Sequence, residues 1–288
     1  VVNKQLLAVY DKPMIYYPLS TMISCGIKDF CIISSPEYIP MYEKMFGDGN
    51  HLGLNIVYEI QYKPNGIAES FIIAEDFIGN DNVSLILGDN IFHGAGLGTQ
   101  LQLLTNVVGA SIFAYRVNDP ESYGVVEFTS DGKVLSIEEK PAFPKSKYAV
   151  PGLYFYDEAV VSIAKSVKPS KRGELEITAV NQAYLNQGNL NITVLDRGTA
   201  WLDTGTFDSF HAAASYVKIV EERQGSKIAC LEEIAWRNRW ISDEQLLKLA
   251  EKYKGKLGFL TIDVDKSADI YDAAGNALGI PFFQVYKR

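Results

Sequence analysis

The 288-residue chain has only three cysteines and three histidines. The cysteines are Cys25, Cys31 and Cys230, and the histidines are His51, His93 and His211. An odd cysteine count without a C-x-x-C pair argues against a disulfide framework. The histidines lack zinc-ligand spacing and form no nucleophile-histidine-acid set. This cysteine usage fits a reducing compartment, so we expect a cytoplasmic protein.

The chain also lacks an excess of positive charge. Its 27 Lys and Arg face 35 Asp and Glu, which gives a net charge of −8 and a pI near 5.0. This balance argues against a nucleic-acid-binding protein. The long uncharged stretch 90–115 contains Gly, Gln and Asn, so it does not read as a membrane span. A phosphorylated small molecule can still bind where lysines and a divalent metal cluster locally.

What the chain does contain is the alternation of apolar strands and amphipathic helices that predicts an α/β protein. Short Ile- and Val-rich runs predict a doubly wound, mostly parallel sheet of the Rossmann-like kind, with an added β-rich region. The predicted strands are 30–34, 55–60, 83–87, 111–117, 124–128, 134–138 and 149–155, and the predicted helices are 14–24, 67–77, 98–104, 158–166, 174–186, 206–222 and 242–253. We expect one domain over 1–252. A strand, helix and strand at 257–264, 268–274 and 281–286 then form a distinct tail over 253–288.

Two aspartates follow apolar strand-like segments, where ligands bind in a doubly wound sheet. Asp89 follows the run 85–88, and Asp203 follows Trp201 and Leu202. Either residue could instead form an Asx turn or cap a helix. Together they suggest a pair of Mg²⁺ ligands, since one or two carboxylates commonly hold a metal-bound phosphate group.

Lysines near these segments are candidates for binding phosphate. Lys4 and Lys12 precede the first predicted helix, whose N-terminus carries partial positive charge. Lys140 ends a strand after Glu138 and Glu139. Solvated surface lysines and a charged strand edge are the plainer alternatives.

Two further segments carry polar groups that suit a base or a sugar. The turn from Gln61 to Gly66 follows a strand, and its amide and backbone could pair with the edge of a heterocycle, although a plain turn has the same pattern. Arg172 and Glu174 precede a predicted helix whose first turn favours acids in any case. A sugar, whose hydroxyls donate to carboxylates, would use the same residues.

Read in order, the segments resemble the sugar nucleotidylyltransferase family, and within it the glucose-1-phosphate thymidylyltransferases. The resemblance covers about residues 1 to 252 and rests on eight segments: Lys4–Leu7, Tyr10–Pro18, Gly88–Asn90, Tyr123–Phe128, Glu138–Pro141, Gly152–Tyr156, Arg172–Thr178 and Trp201–Gly205. It implies Mg²⁺-dependent transfer of thymidylyl from dTTP to glucose 1-phosphate, giving dTDP-glucose and pyrophosphate. The sugar phosphate would attack the α-phosphorus directly, without an enzyme nucleophile. It also implies a homo-oligomer, commonly a tetramer.

The resemblance assigns roles by position. Asp89 and Asp203 match the metal carboxylates, Lys4 the triphosphate-side lysine and Lys140 the sugar-phosphate lysine. The thymine readers match Gln61 and Gly66. The positions around glucose and its phosphate match Tyr123, Gly124, Glu139, Arg172 and Glu174, together with Lys140. Two alternatives stay open: a uridylyl or other sugar nucleotidylyltransferase, and a non-catalytic nucleotide-sugar binding protein.

Some features depart from the family pattern. The family's Gly-x-Gly-Thr-Arg loop and first strand would lie ahead of Val1, so we expect the chain as written to be inactive. Tyr62 and Glu69 differ from the family's usual residues in the base-reading turn. Residues 253–288 resemble the C-terminal half of a thioredoxin fold without its C-x-x-C pair, and no redox chemistry is expected.

Overall fold

The computed structural model describes residues 3–252, together with 261–263 and 284–286. The helices are α1 Tyr16–Ser24, α2 Ile39–Phe46, α3 Glu69–Ile73, α4 Glu75–Ile78, α5 Leu97–Gln102, α6 Val160–Ser166, α7 Ile177–Asn186, α8 Phe207–Gln224, α9 Leu231–Arg237 and α10 Asp243–Lys252. The strands are β1 Ala8–Val9, β2 Lys12–Pro13, β3 Asp29–Ser34, β4 Asn55–Ile60, β5 Val83–Ile86, β6 Asn90–His93, β7 Ala110–Arg116, β8 Gly124–Phe128, β9 Val134–Glu139, β10 Tyr148–Ala149, β11 Leu153–Tyr156, β12 Leu190–Val194, β13 Ala200–Asp203, β14 Thr261–Asp263 and β15 Gln284–Tyr286.

The strands confirm an α/β fold, but their pairing is less parallel than the apolar runs predict. Seven strands form one sheet in the order β5-β11-β7-β10-β8-β9, with β12 also paired to β7. Within the described part of that sheet only β12 and β7 are parallel. Strands β3 and β4 form a separate parallel pair. Antiparallel neighbours need only short connections, whereas parallel ones need a long crossover, and the β-rich region from β8 to β11 uses the short kind.

Strand β7 shows how the helices cover the sheet on both faces. Its residues alternate between the two largest cores, since Phe113 belongs to one, and Ile112 and Ala114 belong to the other. The first core includes residues of α1, α2, α9 and α10, and the second includes residues of α3, α6 and α7. Successive strand residues point to opposite faces, so both faces are buried, as expected for a doubly wound sheet.

Several element boundaries differ from those predicted. The strand expected at 149–155 is two strands, because Pro151 lacks a backbone N–H and Gly152 lies against Leu87, where a Cβ would come within 2.6 Å of that side chain. The helix expected at 67–77 is broken into α3 and α4 at Ala74. The helix expected from residue 174 begins at Ile177, which leaves 172–176 as a loop.

The ends of the chain are described in part. A capping box precedes α10, because Gln245 N donates to Ser242 Oγ at 3.2 Å and Ser242 N donates to Gln245 Oε1 at 2.8 Å. Strands β14 and β15 agree with two predicted strands of the tail and pair in parallel. The helix predicted at 268–274 lies outside the described residues, and the domain boundary at 252 stays a prediction. No helix in the described part of the chain has the length and apolar character needed to cross a membrane.

Candidate active site

Asp89 and Asp203, the acidic pair, come together because Asp89 directly precedes β6 and Asp203 ends β13, the strand paired with β6. Strands β6 and β13 pair antiparallel, and Asp203 is in register with Asn90, the residue after Asp89. Thr204 links the two segments that carry the aspartates, since its Oγ1 donates to the Asp89 carbonyl at 2.8 Å. The two aspartates therefore lie at one end of this two-stranded sheet.

Asn90 fixes Asp89, although sequence reasoning gave it no role. Its side chain is 4% exposed, and its Nδ2 donates to Asp89 Oδ1 at 2.9 Å. Its Oδ1 accepts from Trp201 Nε1 at 2.7 Å and from Gly152 N at 3.1 Å. With these partners the Asn90 amide is locked, and it holds the Asp89 carboxylate in one orientation. An asparagine directly after a candidate ligand, inside an apolar run, is the signal that would have indicated this role.

The electrostatics of the acidic pair are unbalanced. Lys4 Nζ lies 2.6 Å from Asp89 Oδ2. Burial and then the Asp89 charge raise the pKa of Asp203, while the Gly205 backbone, Lys4 and Lys140 lower it without cancelling the rise. The Asp203 carboxylate is thus held close to a like charge, so a bound cation would relieve the repulsion.

Lys4 is positioned by the turn at the start of the described chain. Asn3 caps the short 3-10 helix Lys4–Leu6 by accepting from Gln5 N at 3.0 Å. Its amide also lies 3.5 Å from Ser34 Oγ at the end of β3, and the Ser34 carbonyl accepts from Gln61 N at 2.9 Å. Lys4 and Gln61 are therefore connected through the carboxyl ends of β3 and β4.

Lys140 and Tyr123 both lie near Asp203. Lys140 has a positive φ of 41°, an unfavourable conformation for a lysine, and its N donates to the Tyr123 carbonyl at 3.0 Å. The Tyr123 ring packs edge-on against Trp201 with centroids 5.1 Å apart. Burial, followed by the charges of Asp203 and Asp119, raises the pKa of Tyr123. Lys140, Tyr123 and Asp203 therefore share one local environment.

The predicted sugar-site residues also meet. Gly124 and Glu139 are paired in register on β8 and β9. Arg172 Nη2 lies 3.6 Å from Glu139, 3.8 Å from Glu174 and 2.9 Å from Glu176. The hydrogen bond to Glu176 is the main cause of the raised pKa of Arg172. Arg172 thus lies within 4 Å of three carboxylates. Of these, Glu176 is a partner that the sequence did not indicate.

The turn from Gln61 to Gly66 docks on the loop that carries Arg172 and Glu174. Leu175 N donates to the Asn65 carbonyl at 2.6 Å, and its carbonyl accepts from Ala68 N at 3.0 Å. Gly66 has a φ of 108°, and a Cβ there would lie 2.4 Å from the Leu175 carbonyl oxygen. Only glycine fits this position, and the two predicted binding segments are neighbours.

Two alternatives from the sequence are excluded. Asp203 does not cap α8, because Thr206 does so, with its Oγ1 accepting from Ser209 N at 3.1 Å. Lys12 does not join the acidic pair, because it is 1% exposed and pairs with Asp11 and Glu221.

The acidic pair can supply part of the coordination shell of a divalent metal, with the substrate supplying other ligands. No group of three or more His, Cys, Asp or Glu in the described residues is arranged to hold a metal by itself. Two carboxylates can still hold a metal when phosphate oxygens and water complete its shell. Burial and the nearby Asp89 charge both raise the pKa of Asp203, and a bound cation would offset both effects.

Comparison with known proteins confirms the family. The sequence profile of the nucleotidyl transferase family matches residues 1–218. The chain belongs to this family. As a nucleotidyl transferase it is an enzyme of the class expected from its motifs, and enzymes of this family generally use a divalent metal.

Relatives of this nucleotidyl transferase carry a more specific name. The chain is 57% identical over 249 residues to the glucose-1-phosphate thymidylyltransferase of Mycobacterium tuberculosis, covering 86% of each sequence. It is 55% identical over 250 residues to the enzyme of that name from Neisseria meningitidis, covering 86% of this chain and 87% of that protein.

Solved structures give the same fold. A structure from Bacillus anthracis described as a glucose-1-phosphate thymidylyltransferase is 40% identical, with a TM-score of 0.69 over 75% of this chain and 87% of that one. A UDP-glucose pyrophosphorylase complexed with UDP-glucose is 21% identical, with a TM-score of 0.67 over 76% of this chain and 92% of that chain. At that identity the second likeness concerns the fold alone.

Proposed function

We propose that this nucleotidyl transferase transfers a thymidylyl group from dTTP to glucose 1-phosphate, with Mg²⁺ held by Asp89 and Asp203. The observation that carries the proposal is the acidic pair, two carboxylates at adjoining ends of the paired strands β6 and β13, with Lys4 beside one of them. The names of relatives at 57% and 55% identity support the choice of dTTP and glucose 1-phosphate.

The reaction is a direct displacement. An oxygen of glucose 1-phosphate forms a bond to the α-phosphorus of dTTP, and the bond from that phosphorus to the bridging oxygen breaks. The products are dTDP-glucose and pyrophosphate. When bound, Mg²⁺ neutralises charge on the triphosphate. The chain's own contribution is to hold the two phosphate groups in line and to stabilise charge on the departing pyrophosphate.

The two lysines divide this task. Lys4, beside Asp89, would hold the triphosphate side, and Lys140, on the Tyr123 side of Asp203, would hold the sugar phosphate. The positive φ of Lys140 supports its role, because a strained residue at a site is commonly kept for function.

The remaining site residues would bind the base and the sugar. Gln61 and Gly66 read the thymine edge, while Glu139 and Glu174 accept from sugar hydroxyls, with Arg172 and Tyr123 beside them. A Cβ on Gly124 would meet Glu139 Oε2 at 3.4 Å, an ordinary contact. The chain itself therefore does not require glycine there, and a closely approaching sugar supplies the reason for one.

We further propose a homotetramer in the cytoplasm. Leu103 and Val108 are 81% and 82% exposed, and subunit contacts would cover such side chains. Light scattering of the purified protein tests the assembly, since a tetramer has four times the 32.0 kDa chain mass and a monomer would contradict the proposal.

Pyrophosphate release tests the reaction. The assay uses a chain extended upstream by the Gly-x-Gly-Thr-Arg segment, with glucose 1-phosphate and either dTTP or UTP. We expect release that depends on Mg²⁺ and is faster with dTTP. A preference for UTP would indicate a uridylyltransferase. No release, with nucleotide binding retained, would indicate a non-catalytic binding protein.

A further inference from the structure

The side-chain amide of Gln61 is held in one orientation by its neighbours. Its Nε2 donates to Glu69 Oε2 at 2.7 Å and to the Gly66 carbonyl at 3.3 Å. The other oxygen of Glu69 accepts from Asn65 Nδ2 at 2.7 Å. The Glu69 carboxylate, at the first residue of α3, thus bridges the two amides of the turn.

The chemistry of Glu69 decides which way the Gln61 amide faces. An ionised carboxylate only accepts hydrogen bonds, so the NH₂ group of Gln61 must turn toward it. Both N–H bonds are then used, one by Glu69 and one by Gly66. The amide is planar, so the Gln61 Oε1 lies on the opposite side from Glu69. It accepts no hydrogen bond from any described residue.

We propose that Glu69 is a specificity-determining positioning residue, which fixes Gln61 so that it presents an acceptor to the base. This inference rests on the proposed function, in which Gln61 lies at the base. A pyrimidine with a ring N3–H, thymine or uracil, can donate to Gln61 Oε1. Cytosine has a lone pair at N3, so in the same position two acceptors would face each other.

This arrangement selects bases that carry a ring N3–H, and it does not distinguish thymine from uracil. An acceptor that faces ring N3 would contact neither the 5-methyl group nor the 2′-position, so it would bind dTTP and UTP alike and disfavour CTP. If an unmatched polar group at a part-buried site has its usual effect, CTP binds roughly 10- to 100-fold more weakly than dTTP.

Equilibrium binding of three nucleotides tests the inference. Dissociation constants for dTTP, UTP and CTP are measured at fixed Mg²⁺ in the wild-type protein and in Glu69→Leu, Glu69→Gln and Asn65→Ala. In Glu69→Leu the Gln61 amide keeps only its longer contact to the Gly66 carbonyl, so its orientation is less restricted and the CTP-to-dTTP ratio of dissociation constants should fall by about tenfold or more. Glu69→Gln keeps the side-chain length but can donate as well as accept, so it should also lower the ratio.

Asn65→Ala is the matched control. It also removes one hydrogen bond to Glu69, but it leaves the contact between Glu69 and Gln61 intact. The ratio should therefore match that of the wild-type protein. Thermal unfolding of each variant reports whether the turn remains folded, and Glu69→Gln carries the test if Glu69→Leu does not fold.

Two results would overturn the inference. One is an unchanged ratio in both Glu69 variants. The other is an equal fall of the ratio in Asn65→Ala, which would indicate that the turn as a whole matters and not the amide orientation. Failure of the proposed function is distinguishable, because it appears as absent pyrophosphate release or as a preference for UTP, whereas this inference is tested by the CTP-to-dTTP ratio of dissociation constants alone.

Discussion

The molecule contains two clusters of charged side chains that differ in how completely acidic and basic groups are paired. The first is the acidic pair, Asp89 and Asp203, with Lys4 paired to Asp89 only. The second, which we call the balanced cluster, consists of Asp11, Lys12, Glu221 and Lys227. The balanced cluster has two acids and two lysines, and each lysine contacts both acids.

The balanced cluster is the more deeply buried of the two. The side chains of Lys12 and Glu221 are 1% and 3% exposed, and their atoms Nζ and Oε1 are 3.0 Å apart. Lys227 Nζ lies 2.7 Å from both Asp11 and Glu221. The cluster joins the β1–β2 hairpin to α8 and leaves no charge unmatched. Buried charge that is fully paired belongs to the architecture, whereas partly buried charge that is unmatched indicates a ligand.

The largest expected effect is on ligand binding through the acidic pair. Asp203→Asn should weaken Mg²⁺-dependent dTTP binding by about 100-fold or more, since losing even a group that supports a metal ligand commonly costs roughly 10- to 100-fold. Isothermal titration measures this, with Asp208→Asn, an exposed acid in the first turn of α8, as the control. Loss of thermal stability in proportion to loss of binding would contradict the comparison.

The next largest effect is on stability through the balanced cluster. Glu221→Gln leaves Lys12 buried beside only one acid, so the free energy of unfolding should fall by about 3–5 kcal/mol. The control is Glu222→Gln, whose ion pair with Lys218 is exposed and 3.8 Å long, and which should cost less than about 0.5 kcal/mol. Urea denaturation measures both variants. Equal costs would show that burial of the cluster does not matter.

A smaller effect on ligand binding should distinguish the role of Lys140 from that of Lys4. Lys140→Ala should weaken glucose 1-phosphate binding by roughly tenfold or more, because a hydrogen bond to a charged group contributes about 1.5–3 kcal/mol. Binding of dTTP should change much less. Titration of each ligand separately measures the difference. The reverse pattern would show that the assignments of Lys4 and Lys140 are exchanged.

The smallest expected effect concerns the pH dependence of stability. The charges of Asp11 and Asp203 should change the free energy of unfolding in opposite directions. Burial raises the pKa of Asp11, but Lys12 and Lys227 outweigh it, so the folded pKa lies below 3.8. Asp11 therefore stabilises the fold above pH 3.8 and loses this contribution as the pH falls further. Asp203 has a folded pKa above 3.8, so its charge destabilises the metal-free fold at neutral pH, and this penalty fades as the pH falls through the raised pKa.

Substitution makes the two signs measurable. At neutral pH and without metal, Asp11→Asn should be less stable than the wild-type protein and Asp203→Asn slightly more stable. Both differences should shrink in acid. Urea denaturation between pH 7 and 3 follows them, and the same sign for both variants would break the comparison.

Much of this could be predicted from the sequence, because local patterns specified it. The helices near 16–24, 160–166 and 207–224 follow from their periodicity, and the β8–β9 hairpin follows from Asp131 and Gly132, where Gly132 has a φ of 84°. Asp89 and Asp203 were found because each follows an apolar segment. The short strands β6 and β13, which align them, were not predicted as strands, since four residues with a polar end give little periodic signal.

What the sequence did not indicate depends on contacts between distant residues. Lys12 was grouped with Lys4 from its position ahead of α1, yet it pairs with Glu221, which is 209 residues away. The part played by Asn90 depends on Trp201, and that of Glu69 depends on the fold of the turn after β4. Partner choice at such distances follows from tertiary packing, which single-residue patterns do not encode.

The most direct test of the central claim locates the metal. Crystals grown with Mn²⁺ and a non-hydrolysable dTTP analogue would show the ion by its anomalous scattering. We predict one peak between the carboxylates of Asp89 and Asp203, in contact with the phosphates of the nucleotide. A bound nucleotide whose metal touches neither carboxylate would contradict the account.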